Sequence, residues 1–232
     1  MKVEIWSDIV CPFCYIGKRK FEKALAGFAA KDKVEIVWRS FQLDPDMEFV
    51  PGQSVHEYLA IRKGVSANQG KQMNDAMTES AKDVGLDYHF DKAIISNTLD
   101  AHRLLHFAKT KGLQNEMKER LFKAYYTEGK NIGDRDTLIH LGSEEGLPAD
   151  EIRNVLQTNA FKEEVLQDQY AAQQAGARGV PFFVFNNKYA VSGAQPSDLF
   201  TQVLDKVWQE EKPAMIDGIA AAGFCTTDGI CN

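Results

Sequence analysis

Lys2 to Trp6 alternates charged and apolar positions, with Val3 and Ile5 on one side, which predicts a short strand. Downstream, Phe21, Leu25 and Phe28 recur at helical spacing, so a helix is expected from about Pro12 to Ala30, and Pro12 suits its first turn, where the missing N–H costs nothing. The β-rich run Val34 to Phe41 follows. Strand, helix, strand is the pattern of a parallel pair with a right-handed crossover. From about Ser54 to Ala177 the periodicity is helical. Asn97 is placed to cap a helix carrying Leu99, Leu105 and Ala108. Leu113, Met117, Leu121 and Tyr125 form an apolar stripe on the next. Further helices are expected at about 134–144, 148–157 and 159–175.

Strand character returns at Phe182-Phe183-Val184-Phe185. Asn186-Asn187 is a hairpin turn, because asparagine tolerates positive φ, and Lys188 to Val191 runs back antiparallel. Gln195-Pro196-Ser197 opens a last helix with Leu199, Phe200, Val203, Leu204, Val207 and Trp208. The order is therefore β-α-β, a helical insertion, then β-β-α. Residues 1–44 and 178–211 are expected to form one α/β unit, residues 45–177 a helical insertion, and residues 212–232, rich in Ala and Gly, a C-terminal arm.

Composition narrows the function more than the fold. Of 232 residues, 44% are hydrophobic and 26% charged, which is ordinary for a globular chain. No run approaches the roughly 18–20 apolar residues of a membrane span. A net charge of −6 argues against a nucleic-acid binder held by phosphate contacts. Met1 to Trp6 has no basic region leading into an apolar core of signal type, so a cytoplasmic location is expected. Four cysteines are too few for a disulfide scaffold, and they stand in two pairs, Cys11 with Cys14 and Cys225 with Cys231.

Cys11-Pro12-Phe13-Cys14 lies between the first strand and the first helix. A helix N-terminus leaves N–H groups unpaired and carries partial positive charge, so a thiolate there is stabilised and its pKa is expected to fall. Cys11 is then the nucleophile. Cys14, one turn along and more buried, is the resolving thiol that displaces a bound substrate sulfur from Cys11. Run backwards, the pair oxidises a dithiol. The alternative is a zinc half-site, which the placement of the second thiol within an amphipathic helix disfavours. Val180-Pro181, just before a buried strand, is a natural place for a proline loop beside Cys11, with backbone groups that pair with an extended substrate.

Several segments together resemble the DsbA family of thioredoxin-fold proteins, and within it the FrnE-like branch. They are Ser7 to Gly17 around the cysteines, Phe41-Gln42-Leu43-Asp44-Pro45, Ser96-Asn97-Thr98 with Ala101-His102-Arg103, Gly179 to Val184, and Val191 to Gln195. The resemblance implies an α/β thioredoxin fold with a large α-helical insertion. It implies thiol–disulfide oxidoreductase or disulfide isomerase activity at Cys11 and Cys14, and a cis bond at Pro181. Val180, Pro181 and Phe13 would contact substrate, and Thr98 and His102 would lie near the active face. Protein or peptide thiols and disulfides are the expected partners, with glutathione or a thioredoxin-type reductant as redox partner and no metal or nucleotide cofactor. A rival class in the same superfamily, resembling 2-hydroxychromene-2-carboxylate isomerase and kappa-class glutathione transferases, shares the Ser-Asp and Asn-Thr segments but typically carries serine where Cys11 stands.

Other residues admit functional and bland readings. Cys225 and Cys231 are either two solvated thiols or a redox relay on a mobile arm, with a metal site joining all four thiols as a third option. His102 and His106 have the i, i+4 spacing of metal ligands but no evident acidic partner, so a surface or core role is expected. Lys18-Arg19-Lys20 reads as a solvated face, near enough to Cys11 in sequence to help hold a thiolate. Phe13, Tyr15 and Phe182 are either core or an apolar ring around the nucleophile.

Overall fold

The structure is a computed structural model that describes residues 1–211. The candidate relay pair, Cys225 and Cys231, lies outside the described residues. A four-stranded mixed sheet carries the fold, built from β1 (Lys2–Ser7), β2 (Glu35–Ser40), β3 (Phe182–Phe185) and β4 (Tyr189–Ser192). Its order is β2-β1-β3-β4, with β1 and β2 parallel and both other pairings antiparallel. Asn186 and Asn187 both take positive φ in the β3–β4 turn, as their chemistry allows.

Side-chain alternation sends β1 to two cores. Val3 and Ile5 face α1 (Pro12–Ala26) and the C-terminal helix α9 (Ser197–Glu211), in a cluster with Phe21, Phe183, Phe185 and Phe200. The Phe21 ring meets the other three at centroid distances of 5.6–6.2 Å. Each such aromatic pair adds about 0.5–1.5 kcal/mol beyond burial. Trp6 faces the other way, onto Phe182 and Ala172, and its indole N–H donates to Asp168 O at 2.7 Å.

Between β2 and β3 run α2 (Val55–Lys63), α3 (Ala67–Lys82), α4 (Leu99–Thr110), α5 (Gln114–Tyr126), α6 (Arg135–Glu144), α7 (Ala149–Gln157) and α8 (Lys162–Gln174). This is the thioredoxin fold with a helical insertion. Ser54 and Ser66 form capping boxes with Glu57 and Gln69, which start α2 and α3. α2 and α3 approach closely enough that a Cβ on Gly70 would lie 2.4 Å from His56 O.

Three sequence expectations need correction. α1 ends at Ala26 rather than near Ala30, because Gly27 closes the helix and Phe28 folds back onto Trp208. The span from Ser54 to Ala177 is not helical throughout. Residues 83–98 run without helix and bury Tyr88, Phe90 and Ile95. The last insertion helix starts at Lys162 rather than about 159, since Phe161 before it is left-handed. Asn97 does serve the start of α4, accepting from Leu99 N at 2.9 Å, but Thr98 occupies the cap position.

α1 is shared between two cores. Phe21 and Ala24 pack in the sheet cluster, whereas Cys14, Tyr15 and Ile16 belong to the core of the helical insertion. The cysteines therefore sit where the two cores meet.

Candidate active site

Cys11 caps α1 in extended conformation, and Pro12 takes the first helical position. Its sulfur donates to Val180 O at 3.4 Å. The Val180–Pro181 peptide is cis. Gly17, one turn after Phe13 on α1, lets this loop dock, because a Cβ there would lie 2.9 Å from Pro181 Cγ. Gly193 N donates to Pro181 O at 2.8 Å and ties the loop to the end of β4. Both cysteines are buried, Cys11 at 3% and Cys14 at 1% exposure, while Phe13 between them stands 48% exposed. Beside Cys11 opens a cavity of about 640 Å³, walled by apolar side chains such as Met47, Val55, Met77 and Phe90, and also by Phe13 and Thr98.

The loop from β1 to α1 is fixed by Asp8, which is fully buried. One carboxylate oxygen accepts from Ile9 N at 2.8 Å and from His102 Nε2 at 3.2 Å, and the other from Leu43 N at 2.8 Å. Burial alone would raise the Asp8 pKa, but these bonds and the nearby Lys118 charge hold it below the ordinary carboxylate range. An ionised Asp8 only accepts, so His102 Nε2 carries the proton. Burial keeps His102 below the usual histidine range, and its Nδ1 has no hydrogen-bond partner among the described residues. From the far side, Tyr88 donates its hydroxyl to Pro12 O at 2.8 Å and pins the turn between the cysteines.

The Cys11 pKa runs opposite to the sequence expectation. Hydrogen bonding with the Cys14 thiol, then burial, then the negative charge of Asp8 push it well above the ordinary thiol value. The helix N-terminus is present, but burial and the neighbouring Cys14 and Asp8 outweigh it.

Other sequence readings are redistributed. Tyr15 and Phe182 do not ring Cys11. Tyr15 stacks on Phe122 at 4.6 Å, and Phe182 packs on Trp6 in the separate cluster that also holds Val184. Of these three aromatic residues, Phe13 is the exposed one beside Cys11. Lys18 and Arg19 are not a solvated face, because both pair with Glu22 on α1 and Glu119 on α5. His102 and His106 do have acidic partners. His106 Nε2 lies 3.1 Å from Asp168 Oδ2, and the two histidines turn to different carboxylates. Among the described residues, no three His, Cys, Asp or Glu side chains converge as metal ligands.

Asp8, Tyr88 and Lys118 escape sequence reasoning as site residues. Asp8 stands in the family segment without signalling its role, and Lys118 looks solvated beside two charged neighbours, although it follows Met117 of the apolar stripe.

Residues 2–205 match the DSBA-like thioredoxin domain, and the chain belongs to that family. A probable DsbA oxidoreductase from Streptomyces coelicolor is 41% identical with a TM-score of 0.86, covering 99% of this chain and 97% of that one. A Bacillus subtilis protein of uncharacterised function, YwbO, is 29% identical over 204 residues, 87% of this chain and 94% of its own. The cytosolic disulfide reductase DsbM of Pseudomonas aeruginosa, also solved with glutathione, shares the fold at 17% identity and TM-score 0.63, covering 90% of this chain and all of that one. No described helix is long and apolar enough to cross a membrane.

Proposed function

We propose that this DSBA-like thioredoxin-domain protein is a thiol–disulfide oxidoreductase of protein or peptide disulfides whose dithiol works in the reducing direction. Cys11 is the nucleophile, Cys14 the resolving thiol, and Val180, Pro181 and Phe13 position the substrate. The observation that carries this reading is the Cys11 sulfur itself, set at the open start of α1, bonded to Val180 O and facing the cavity. Cys11 held as a thiol gives the reduced form no thiolate stabilisation, which favours the dithiol as a reductant. Isomerisation follows when a second substrate thiol attacks the substrate sulfur of the mixed disulfide, forming a new substrate disulfide and releasing Cys11, before Cys14 attacks. Exchange between sulfurs requires no metal or nucleotide cofactor. Glutathione or a thioredoxin-type dithiol in the cytoplasm would return the pair to the reduced state. The DsbM comparison supports both the compartment and the thiol.

The test is turnover of a fluorogenic peptide disulfide with reduced glutathione as electron source. Cys11→Ser is expected to abolish turnover, and Cys14→Ser to accumulate a mixed disulfide. Full turnover by Cys11→Ser would reject the assignment. Equilibration with glutathione is expected to give a reduction potential below about −200 mV.

A second reading is glutathione-dependent isomerisation or transfer on a small apolar substrate, favoured by the apolar cavity against Cys11. It requires activity on an aromatic substrate with glutathione that survives Cys14→Ser.

A further inference from the structure

Most polar side chains that line the cavity beside Cys11 are already paired. Asp44 accepts from the Tyr58 hydroxyl at 2.6 Å and lies 2.6 Å from Arg62 Nη1. Asn74 bonds His56 Nδ1 at 3.0 Å, and Ser96 is held by Asn131 at 2.8 Å. Two lining hydroxyls have no hydrogen-bond partner among the described residues, those of Thr98 and Tyr125. Thr98 occupies the cap position of α4, but its side chain makes no capping bond, since Asn97 accepts from Leu99 N instead. Tyr125 lies on α5; burial pushes its phenol up, and no hydrogen bond contributes. The two residues are 2% and 3% exposed. Yet neither hydroxyl is sealed, unlike the unbonded hydroxyls of Ser7 and of Tyr126, the next residue on α5. What little accessible surface Thr98 and Tyr125 retain faces the cavity.

An occupant without polar atoms would close over these hydroxyls and leave them unpaired, which is costly in a buried site. The space therefore suits a polar tip on an apolar body. The walls favour an aromatic body. Met47, Met73 and Met77 all line the cavity. Thioether sulfurs make favourable contacts with ring edges, and unbranched side chains adapt to a flat ring. A volume of about 640 Å³ lies within the usual range of ligand pockets, roughly 300–1,000 Å³, and admits the largest side chains. Position follows from the proline loop. Gly179 and Val180 border the same cavity as Cys11 and Phe13. In an extended substrate, residues two apart face one side. With a half-cystine turned to Cys11, the side chain two positions away turns toward this space.

We propose that the cavity is a specificity subsite for a tyrosine side chain two positions from the reacting half-cystine of a peptide disulfide, with the Thr98 and Tyr125 hydroxyls reading its phenol. This rests on the dithiol reading above. A phenol both donates and accepts, so it answers hydroxyls of either orientation. Phenylalanine fills the space but leaves the hydroxyls bare, and alanine leaves the apolar walls uncovered. Thr98 and Tyr125 act on the side chain and not on the reacting sulfurs, so they set preference among substrates.

The experiment measures kcat/KM of the full chain on fluorogenic peptide disulfides with reduced glutathione as electron source. The peptides carry tyrosine, phenylalanine or alanine two positions from the half-cystine, on one side or the other. One side is expected to give the order tyrosine, phenylalanine, alanine. Burying the ring should favour phenylalanine over alanine by about 10- to 100-fold. Hydrogen bonding should favour tyrosine over phenylalanine by about 3- to 10-fold, carried by KM. In Tyr125→Phe and in Thr98→Val the tyrosine-to-phenylalanine ratio should fall toward one, and a general loss of folding or turnover does not move that ratio. A tyrosine preference that survives in both folded variants overturns the proposal. So does a parent that ranks phenylalanine at or above tyrosine on both sides, whether or not the variants fold. If no peptide is turned over, or Cys11→Ser turns them over fully, the dithiol reading fails instead. The subsite is then decided without turnover, by titrating p-cresol and toluene into the chain and following the cavity residues by NMR. A loss of p-cresol affinity in Tyr125→Phe of about 3- to 10-fold, with toluene bound as before, upholds the subsite. Equal p-cresol affinity in parent and variant overturns it.

Discussion

His102 and His106 leave α4 one turn apart, and each meets a buried aspartate. Around His106 the polar network is complete. Asp168 on α8 accepts from His106, from Ser40 N at 2.8 Å and from the Arg39 guanidinium at 2.9 Å, and Arg39 in turn reaches Glu4. Every charge there has an opposite, and the cluster clamps α8 to β2. Around His102 the network is open. Asp8 has its bonds, but among the described residues His102 Nδ1 and the Ser7 hydroxyl have none, and the compensating cation, Lys118, makes no ion pair with a carboxylate. The same two residue types thus do different work. One pair finishes a structure, and the other leaves polar capacity unspent beside two thiols.

The contrast is breakable. The largest effect should come from Asp168→Ala, which strands Arg39, His106 and Ser40 N. Removing one partner of a buried charged network costs about 3–5 kcal/mol, so denaturant unfolding should show that loss while Cys11 alkylation at pH 7 in the folded protein stays unchanged. A changed alkylation rate would mean that the two networks are coupled. Asp8→Asn, nearly the same shape, should cost less, about 1–3 kcal/mol, and should act on chemistry. Losing the negative charge lowers the Cys11 pKa, and iodoacetamide should react about three- to tenfold faster at pH 7. An unaltered rate would remove Asp8 from the control of Cys11.

The pH dependence of stability sharpens the same point. His102 is held below its ordinary value by burial, so below about pH 6.5 the unfolded chain binds a proton that the folded chain refuses. Stability should therefore decline as pH falls from about 6.5. His102→Gln should flatten that decline by on the order of 1 kcal/mol between pH 7 and 5.5, as read from thermal unfolding. The carboxylates act lower. Both Asp8 and Asp168 are depressed, so their contribution is present above the ordinary carboxylate range and is lost only as pH falls through their lowered values. The smallest effect should follow Tyr88→Phe, which deletes the bond to Pro12 O. About 0.5–1.5 kcal/mol is expected, with the order of Cys11 and Cys14 reactivity retained. Reversed reactivity would show that Tyr88, and not Asp8, sets the turn.

Much of this architecture is written in local pattern. Alternation marks β1, the continuous apolar run marks β3, and the asparagine pair fixes the hairpin, because in each case neighbours in sequence decide the geometry. The cysteine pair and the proline loop are legible for the same reason, as short motifs with a built-in chemistry. What sequence hides is burial of charge. Lys18, Lys118 and Asp168 each sit among polar neighbours in helices and read as solvated, yet all three are buried by contacts more than 90 residues away in sequence. The partners of His102 and His106 are invisible for that reason too. The direction of the Cys11 shift escapes sequence because a helix N-terminus can be read there, whereas a neighbouring thiol, burial and a carboxylate acting together require the fold.

The Sγ–H of Cys11 occupies the Val180 carbonyl. On the proposed function, thiol and incoming strand would meet at one acceptor, and the resting dithiol is its own occupant. Once Cys11 enters a disulfide it has no hydrogen to give, and the carbonyl falls vacant at the moment a bound chain can use it. Grip on the substrate and the oxidation state of the sulfur would then become a single variable, tight while the mixed disulfide lasts and contested again when the thiol returns.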